Sequence, residues 1–502
     1  MVEGFITACG SVRGELMQQS DKGPGSSGVR NGSSRRRFLA LAGAAGITGL
    51  AGCSGGGGGD GSNDSNDSGG NTTTTGSEGE TGSTDTESTS GTDGGETDAT
   101  GTATEDSATE TGTETGGNGT TSGGGGTADL GSVTVGILNP ISGAYSSLGP
   151  GQRNGAELAV SQINGSDAFG VEIEPVYADT ETGTSAAQQS AQRLVQQDGA
   201  EFLFGAISSS VALSLNEFAA SEEFVYFPGG AAVPITGENC NQWVFRCETN
   251  TAQIAEAISG YSVNNLGTNV WFHIADYAYG NSVYNRVSSR MGEANDEFQE
   301  VGLTKSQLGS SNFGSFISQI SNSAAEVVIL GMTGGDLVNF VNQAADQGLT
   351  DQVDLVGPTM SFRSVRGATG SNVVGTYGGV RYDPSIELGD NPQFVEAFRD
   401  ENDSPPGNFA RVGYDSVRLI ARGIQEAGST DPADVRDALS GGTFTTVLGD
   451  VTLRESDHQA TNPTWMGELV EGEGDIADVE RISKVEGEDA LPPASELGCT
   501  LN

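Results

Sequence analysis

From Ser132 onward the chain alternates short apolar runs with stretches of helical spacing, and the alternation runs twice. Ser132 to Leu138, Val171 to Tyr177, Phe202 to Ile207 and Phe224 to Phe227 read as strands. Between them, Gly155 to Ile163, Ser185 to Gln197 and Ser208 to Ala220 carry apolar residues three and four apart, as helices do. After a break the pattern restarts: helix Thr251 to Val263, strand Asn269 to Ile274, helix Asn281 to Met291. Helix Phe313 to Ser321, strand Val327 to Gly331, helix Gly335 to Ala345 and strand Leu355-Val356 follow. Strands separated by helices pair in parallel, and such sheets need helices on both faces. The expected fold class is therefore α/β, with two Rossmann-like lobes. Ligands of such sheets sit beyond the carboxyl ends of the strands, so the loops after each strand hold the candidate site.

Length agrees with two lobes. Of 502 residues, Ser54 to Thr127 contain only Gly, Ser, Thr, Asn, Asp, Glu and Ala. Such a segment buries too little apolar surface to offset its ordering entropy, and reads as a disordered acidic tether over 54–128. The remaining 375 or so residues are too many for one core. They carry 17 basic and 50 acidic side chains, a net of 17 − 50 = −33, and their only lysines are Lys305 and Lys484. That field repels nucleic acid and anionic membranes. It suits a protein working in high salt, where screening removes the self-repulsion.

The amino terminus reads as an address. Ser34-Arg35-Arg36-Arg37-Phe38-Leu39 has the twin-arginine export pattern, and Phe38 to Gly52 is an apolar stretch too short to span a bilayer. Leu50-Ala51-Gly52-Cys53 resembles a lipobox, which makes Cys53 the lipidated residue and 1–53 the export signal. The tether then gives a reach of about 45–50 Å from the membrane. Asn63, Asn66, Asn71 and Asn118 stand in N-x-Ser/Thr acceptor patterns. The expected location is the extracellular face of the cell membrane, lipid-anchored. Cys9 lies upstream of the cleavage point. In an oxidising compartment Cys240 and Cys247, around Trp243, are expected to pair, with Cys499 unassigned. The chain has two histidines, His273 and His458, and neither has ligand spacing with a cysteine pair, so no metal is expected.

No catalytic constellation assembles. The spacing of Gly149, Gly151 and Gly155 is not that of a dinucleotide loop, and they do not directly follow the first strand. No G-x-S-x-G elbow stands in the folded part, and H-E-x-x-H and a P-loop are absent. No cofactor and no enzymatic activity are expected.

Val133 to Asn164 resembles the opening of the solute-binding proteins of branched-chain amino acid ABC transporters. The matching residues are Leu138-Asn139-Pro140-Ile141-Ser142-Gly143, Gly149, Gly155-Ala156-Glu157-Leu158-Ala159 and Ile163-Asn164. Further matches run in order through Gly205 to Ser210, Pro228-Gly229-Gly230, Phe245-Arg246, Tyr279-Gly280, Val356-Gly357-Pro358 and Gly413-Tyr414-Asp415. The resemblance implies a type I periplasmic-binding fold whose two lobes, joined by three crossovers, close over a small solute. The implied boundaries are 129–248 for the first lobe, 249–380 for the second, 381–446 for a return to the first, and 447–502 for a return to the second plus a tail.

The resemblance also implies site residues. Ser208, with Ser209, stands where the family binds a carboxylate, and it also fits a helix N-cap. Gly229 supplies a backbone carbonyl. Leu148 lines the side-chain pocket, and Tyr279 covers the ligand from the second lobe or simply packs. Ala231, Thr333 and Thr359 mark departures: the family places Thr, an aromatic and an acid at or near these positions. Without the acid an α-ammonium lacks its charge partner, unless Asp276 or Asp336 substitutes. The implied function is capture of a small solute, an amino acid or a related amide, urea-type or carboxylate compound. The implied partner is an ABC permease, or alternatively a chemotaxis transducer.

Overall fold

The computed structural model describes residues 129–472 and 474–501. The export signal 1–53, Cys9, Cys53, the tether 54–128 and the four glycosylation patterns lie outside the described residues.

The first lobe is built from β1 (Ser132–Asn139), α1 (Gly149–Asn164), β2 (Glu172–Asp179), α2 (Thr184–Gln196), β3 (Phe202–Gly205), α3 (Ser209–Glu222) and β4 (Val225–Pro228). Its four strands are parallel in the order β2-β1-β3-β4. β3 and β4 are buried along their whole length, as expected of strands covered on both faces.

The second lobe follows with α4 (Thr251–Tyr261), β5 (Asn269–Ala275), α5 (Ala278–Ala294), β6 (Gln299–Ser306), α6 (Gly314–Ser321), β7 (Val327–Gly331), α7 (Gly334–Asp346), β8 (Asp354–Gly357), α8 (Arg363–Thr369) and β9 (Tyr377–Val380). The chain then returns to the first lobe through α9 (Asn391–Asn402), α10 (Asn408–Ala427), α11 (Pro432–Leu439) and the antiparallel hairpin of β10 (Thr443–Thr446) and β11 (Gly449–Thr452). Last, β12 (Thr464–Val470) and β13 (Asp478–Val485) join the second sheet, giving the order β13-β12-β9-β8-β7-β5-β6. β5 to β9 are parallel, and β12 and β13 are antiparallel additions. The return to the second lobe comes later than residue 447. Val447, Leu448, Val451, Leu453 and Ala460 join the first lobe's core, because the hairpin packs there before the chain crosses.

α10 closes the first lobe by lying directly on α1. A Cβ at Gly155 would stand 1.9 Å from the Ala410 carbonyl oxygen, and one at Gly413 would stand 2.1 Å from that of Gln152. The two helices meet at backbone distance, which only these reciprocal glycines permit. Buried in α10, Asp415 accepts from Val447 N at 3.1 Å and faces Arg411 at 3.9 Å. Burial pushes its carboxyl up to about 6. The folded state therefore holds this proton more tightly than the unfolded chain.

The cysteines pair differently from expectation. Cys240 is joined to Cys499, 259 residues away, and Cys247 is a free thiol. Cys247 is buried against α10, with Sγ 3.0 Å from Ser416 Oγ, so it faces away from the turn that carries Cys240. Cys240 instead meets the C-terminal tail, whose Leu497 packs on Val233 and Ala252. The tail leaves β13 in the second lobe and is bonded to the loop after β4 in the first.

Two outcomes follow from these contacts. Peptide mapping without reductant is expected to recover Cys240 bonded to Cys499, and a Cys240→Ser/Cys499→Ser chain should lose stability. Closing so long a loop is worth about 5 kcal/mol on chain entropy alone, so a denaturation curve unchanged by the substitutions would contradict the staple. For Asp415, the charged form is disfavoured by folding, so its contribution falls as pH rises from about 4 to about 6 and is flat above. The stability of Asp415→Asn relative to the parent should improve by on the order of 3 kcal/mol across that window, read from unfolding curves at fixed molar salt.

Candidate functional site

Three crossovers at 246–250, 381–390 and 453–463 join the lobes, and a dense polar network ties them together. Arg246 is fully buried and donates to the carbonyls of Gly230 (3.2 Å) and Ala232 (2.6 Å), to Thr236 Oγ1 (2.5 Å) and to Gln459 Oε1 (2.6 Å). Gln459 Nε2 donates to Glu248 O, and Asn462 Nδ2 donates to Cys247 O. Asn250 caps α4 with a complete capping box formed with Gln253, whose amide also reaches the third crossover at Ala460 O and Asn462 O. These bonds fix the loop after β4, which carries Gly229 and Ala231, relative to the hinge.

The first lobe presents three loops at the carboxyl edge of its sheet. In the β1–α1 loop, Leu148 is buried. A Cβ on Gly334, in the first turn of α7, would lie 3.5 Å from it, so the loop reaches the second lobe. After β3, Ala206 adopts φ +63°, an uncommon conformation for a residue with a side chain, and turns the chain sharply into α3. Ser208 then takes the N-cap position, and its hydroxyl makes no capping bond. Ser209 Oγ accepts from Ala232 N at 3.1 Å and so holds the β4 loop. Gly229 covers the α1 side chain Gln152, whose Nε2 would be 2.3 Å from a Cβ there. Gln152 Oε1 accepts from Asn139 Nδ2, while its Nε2 is buried with no partner.

The second lobe answers with the carboxyl edge of β5, β7, β8 and β9. Tyr279 is buried, and its hydroxyl accepts from Arg381 Nη2 at 2.9 Å. Ala231 packs in the same apolar cluster as Tyr279, which joins the lobes there. Thr333 caps the end of β7 before α7, and its Oγ1 is buried and unpartnered. Thr359 donates to Met332 O at 3.0 Å. Asp276 is exposed and paired with Lys305 at 3.2 Å, and Asp336 takes Gly309 N on both oxygens. His273 and His458 pack on aromatic rings, and burial pushes both down to about 4. They serve as neutral packing residues. Among the described residues no group of His, Cys, Asp or Glu is arranged to hold a metal ion.

Next to Leu148 a cavity of about 390 Å³ opens between the lobes, faced by Asn154, Asn408 and Phe409 from the first lobe and Phe362 and Ser364 from the second. A parallel sheet and a mostly parallel one, joined by three crossovers and with a cavity at the junction, form a clamshell. The matching family model, described as a periplasmic binding protein, covers residues 132–474. The chain belongs to the periplasmic binding protein family.

Within that family, it is 25% identical over 344 residues to a Leu/Ile/Val-binding protein homolog of Brucella abortus, covering 68% of this chain and 91% of the relative. It is 27% identical over 333 residues to an amino acid binding protein of Pseudomonas aeruginosa, covering 64% of this chain and 85% of the relative. A solved periplasmic binding protein from Burkholderia mallei superimposes with a TM-score of 0.68 at 25% identity, over 74% of this chain and 99% of that one. The fold is that of a type I periplasmic binding protein, and the function of the chain is to bind a solute.

For a periplasmic binding protein, the residues missed by the sequence reading stand out at the hinge. Arg381, at the end of β9, pairs with Glu248 at 3.2 Å, and both are buried. Glu248 also accepts from Asn408 Nδ2 at 2.9 Å. The Phe362 ring lies 5.2 Å from the Arg381 guanidinium and stands edge-on to Phe409. Both rings line the cavity beside Leu148. The signal in the sequence was faint: an arginine directly after an apolar strand end, in a chain poor in cations.

Replacing Arg246 by Met is expected to lower stability by roughly 3–5 kcal/mol, since it strips donors from buried acceptors at the hinge. Chemical unfolding in molar salt measures this; a loss below about 1 kcal/mol would show that the crossovers hold without it.

Proposed function

We propose that this chain is an exported, lipid-anchored receptor that captures a small carboxylate-bearing solute of amino-acid size between its lobes and delivers it to an ABC permease. The observation that supports this most directly is the state of the first turn of α3. Its N-cap Ser208 leaves its hydroxyl out of capping, and the first turn of a helix carries free N–H groups with the helix dipole behind them. That is the environment a carboxylate prefers. Gln152, Thr333, Arg381 and Asn408 each hold a buried polar atom without a partner around the same junction. Buried polar atoms are normally satisfied, so a cluster of such atoms marks a place where a polar ligand completes the bonding.

Capture works by differential affinity. A solute that touches both lobes favours the closed arrangement over the open one, and the closed surface is what a permease reads. The solute leaves unchanged. The twin-arginine signal and Cys53 keep the receptor outside the cell, and the acidic, lysine-poor sequence fits work in concentrated salt.

A thermal-shift screen of the purified chain in molar salt, against amino acids, small carboxylic acids and amides, is expected to find a carboxylate that raises the melting temperature by mass action. Ser208→Ala should weaken that ligand ten- to a hundred-fold, the worth of a hydrogen bond to a charged group. Undiminished binding would remove the carboxylate from α3, and turnover of the ligand would replace the receptor reading with an enzyme.

A further inference from the structure

We infer that the junction selects a monocarboxylate with an apolar body and no α-ammonium group; this rests on the reading of the junction as the solute's seat. A bound α-amino acid brings a buried ammonium, which is costly without an anionic partner. The buried carboxylates that the hinge and the strand-end loops bring to the junction are already engaged. Glu248 gives Oε1 to Arg381 and Oε2 to Asn408. Asp383 pairs with Arg366 at 3.0 Å through one oxygen and accepts from Ser385 through the other. Asp336 is taken by Gly309 N, and Asp276 points to Lys305 in solvent. At position 359 stands a threonine whose hydroxyl is spent on Met332 O.

Donors, by contrast, remain. Arg381 uses Nη1 on Glu248 and Nη2 on Tyr279, and its Nε is buried with no partner. Gln152 Nε2 is equally unused. With the α3 N-terminus they make a seat richer in hydrogen-bond donors than in acceptors, and the free acceptors, Asn408 Oδ1 and Thr333 Oγ1, are uncharged. The solute's single negative charge falls to these donors. Leu148, Phe362 and Phe409 line the neighbouring cavity, and Phe362 lies 5.2 Å from the Arg381 guanidinium, so they offer the body of the solute an apolar and aromatic wall beside that donor. A hydroxyl on that body would satisfy Asn408 Oδ1; an ammonium would find no counter-charge.

Calorimetric titration of the full chain in molar salt with shape-matched pairs tests this: leucine against 4-methylpentanoate, and phenylalanine against 3-phenylpropanoate. In at least one pair the acid lacking the amino group is expected to bind ten-fold or more tightly than its amino acid. Arg381→Gln should weaken that acid at least ten-fold, and Thr359→Glu, which supplies a carboxylate, should narrow or reverse the preference. An amino acid binding more tightly than its partner acid would overturn the inference and leave the seat standing. If no member of either pair binds, both the inference and the seat for a carboxylate fall.

Discussion

The guanidinium of Arg246 is the point on which the architecture turns. A two-lobed receptor needs a hinge that bends without losing register, and three extended crossovers would otherwise expose or bury many unpaired backbone groups. Arg246 and Gln459 convert those crossovers into one hydrogen-bonded unit, with the carbonyls of Gly230 and Ala232 gathered on one side chain. The position of the β4 loop, and hence of Gly229, follows from that unit. So does the burial of Glu248, whose backbone carbonyl is held by Gln459 while its carboxylate meets Arg381. A buried ion pair offsets its desolvation only when its remaining bonds are satisfied. Asn408 and Tyr279 provide two of them, and each comes from a different lobe. The pair therefore senses both lobes at once.

The legible part of the fold was the part governed by local pattern. β7 is an unbroken apolar run and could be placed residue for residue, and β3, β4 and β5 lie close to where their apolar cores put them. β6 and β13 escaped because they are edge strands: Gln299–Ser306 is mostly half-exposed and Asp478–Val485 almost wholly outside the core, so neither carries a hydrophobic run. The partner of Cys240 was not readable because it depends on where a tail lands after two lobes have formed. Proximity in sequence favoured Cys247, but burial under α10 withdrew that thiol from the loop.

The same division applies to the junction. The place of Ser208 between β3 and α3 could be read because strand, turn and helix follow each other locally. Arg381, Glu248 and Asn408 could not, because they come from three separate passes of the chain through the hinge and only folding brings them together. Ser209 and Thr359 entered the candidate site through the family resemblance. Their hydroxyls hold the backbone at Ala232 and Met332, bonds that only the folded chain reveals.

Closure itself has a consequence for affinity. The lobes already meet through Leu148 against the α7 turn, through Ala231 beside Tyr279, and through a hydroxyl contact between Tyr145 and Tyr277. Val233 N donates to Ser282 Oγ, across from the first lobe to α5. These contacts favour the closed form whether or not a solute is present, and the Cys240–Cys499 bond limits how far the lobes part. A ligand's apparent affinity is its intrinsic affinity scaled by the fraction of receptor that is binding-competent. Lobe-to-lobe contacts therefore raise affinity up to the point where the closed form excludes the solute from entering. Beyond that point they slow capture, so the strength of the tyrosine contact and the length of the C-terminal strap set the balance between holding a solute and admitting it.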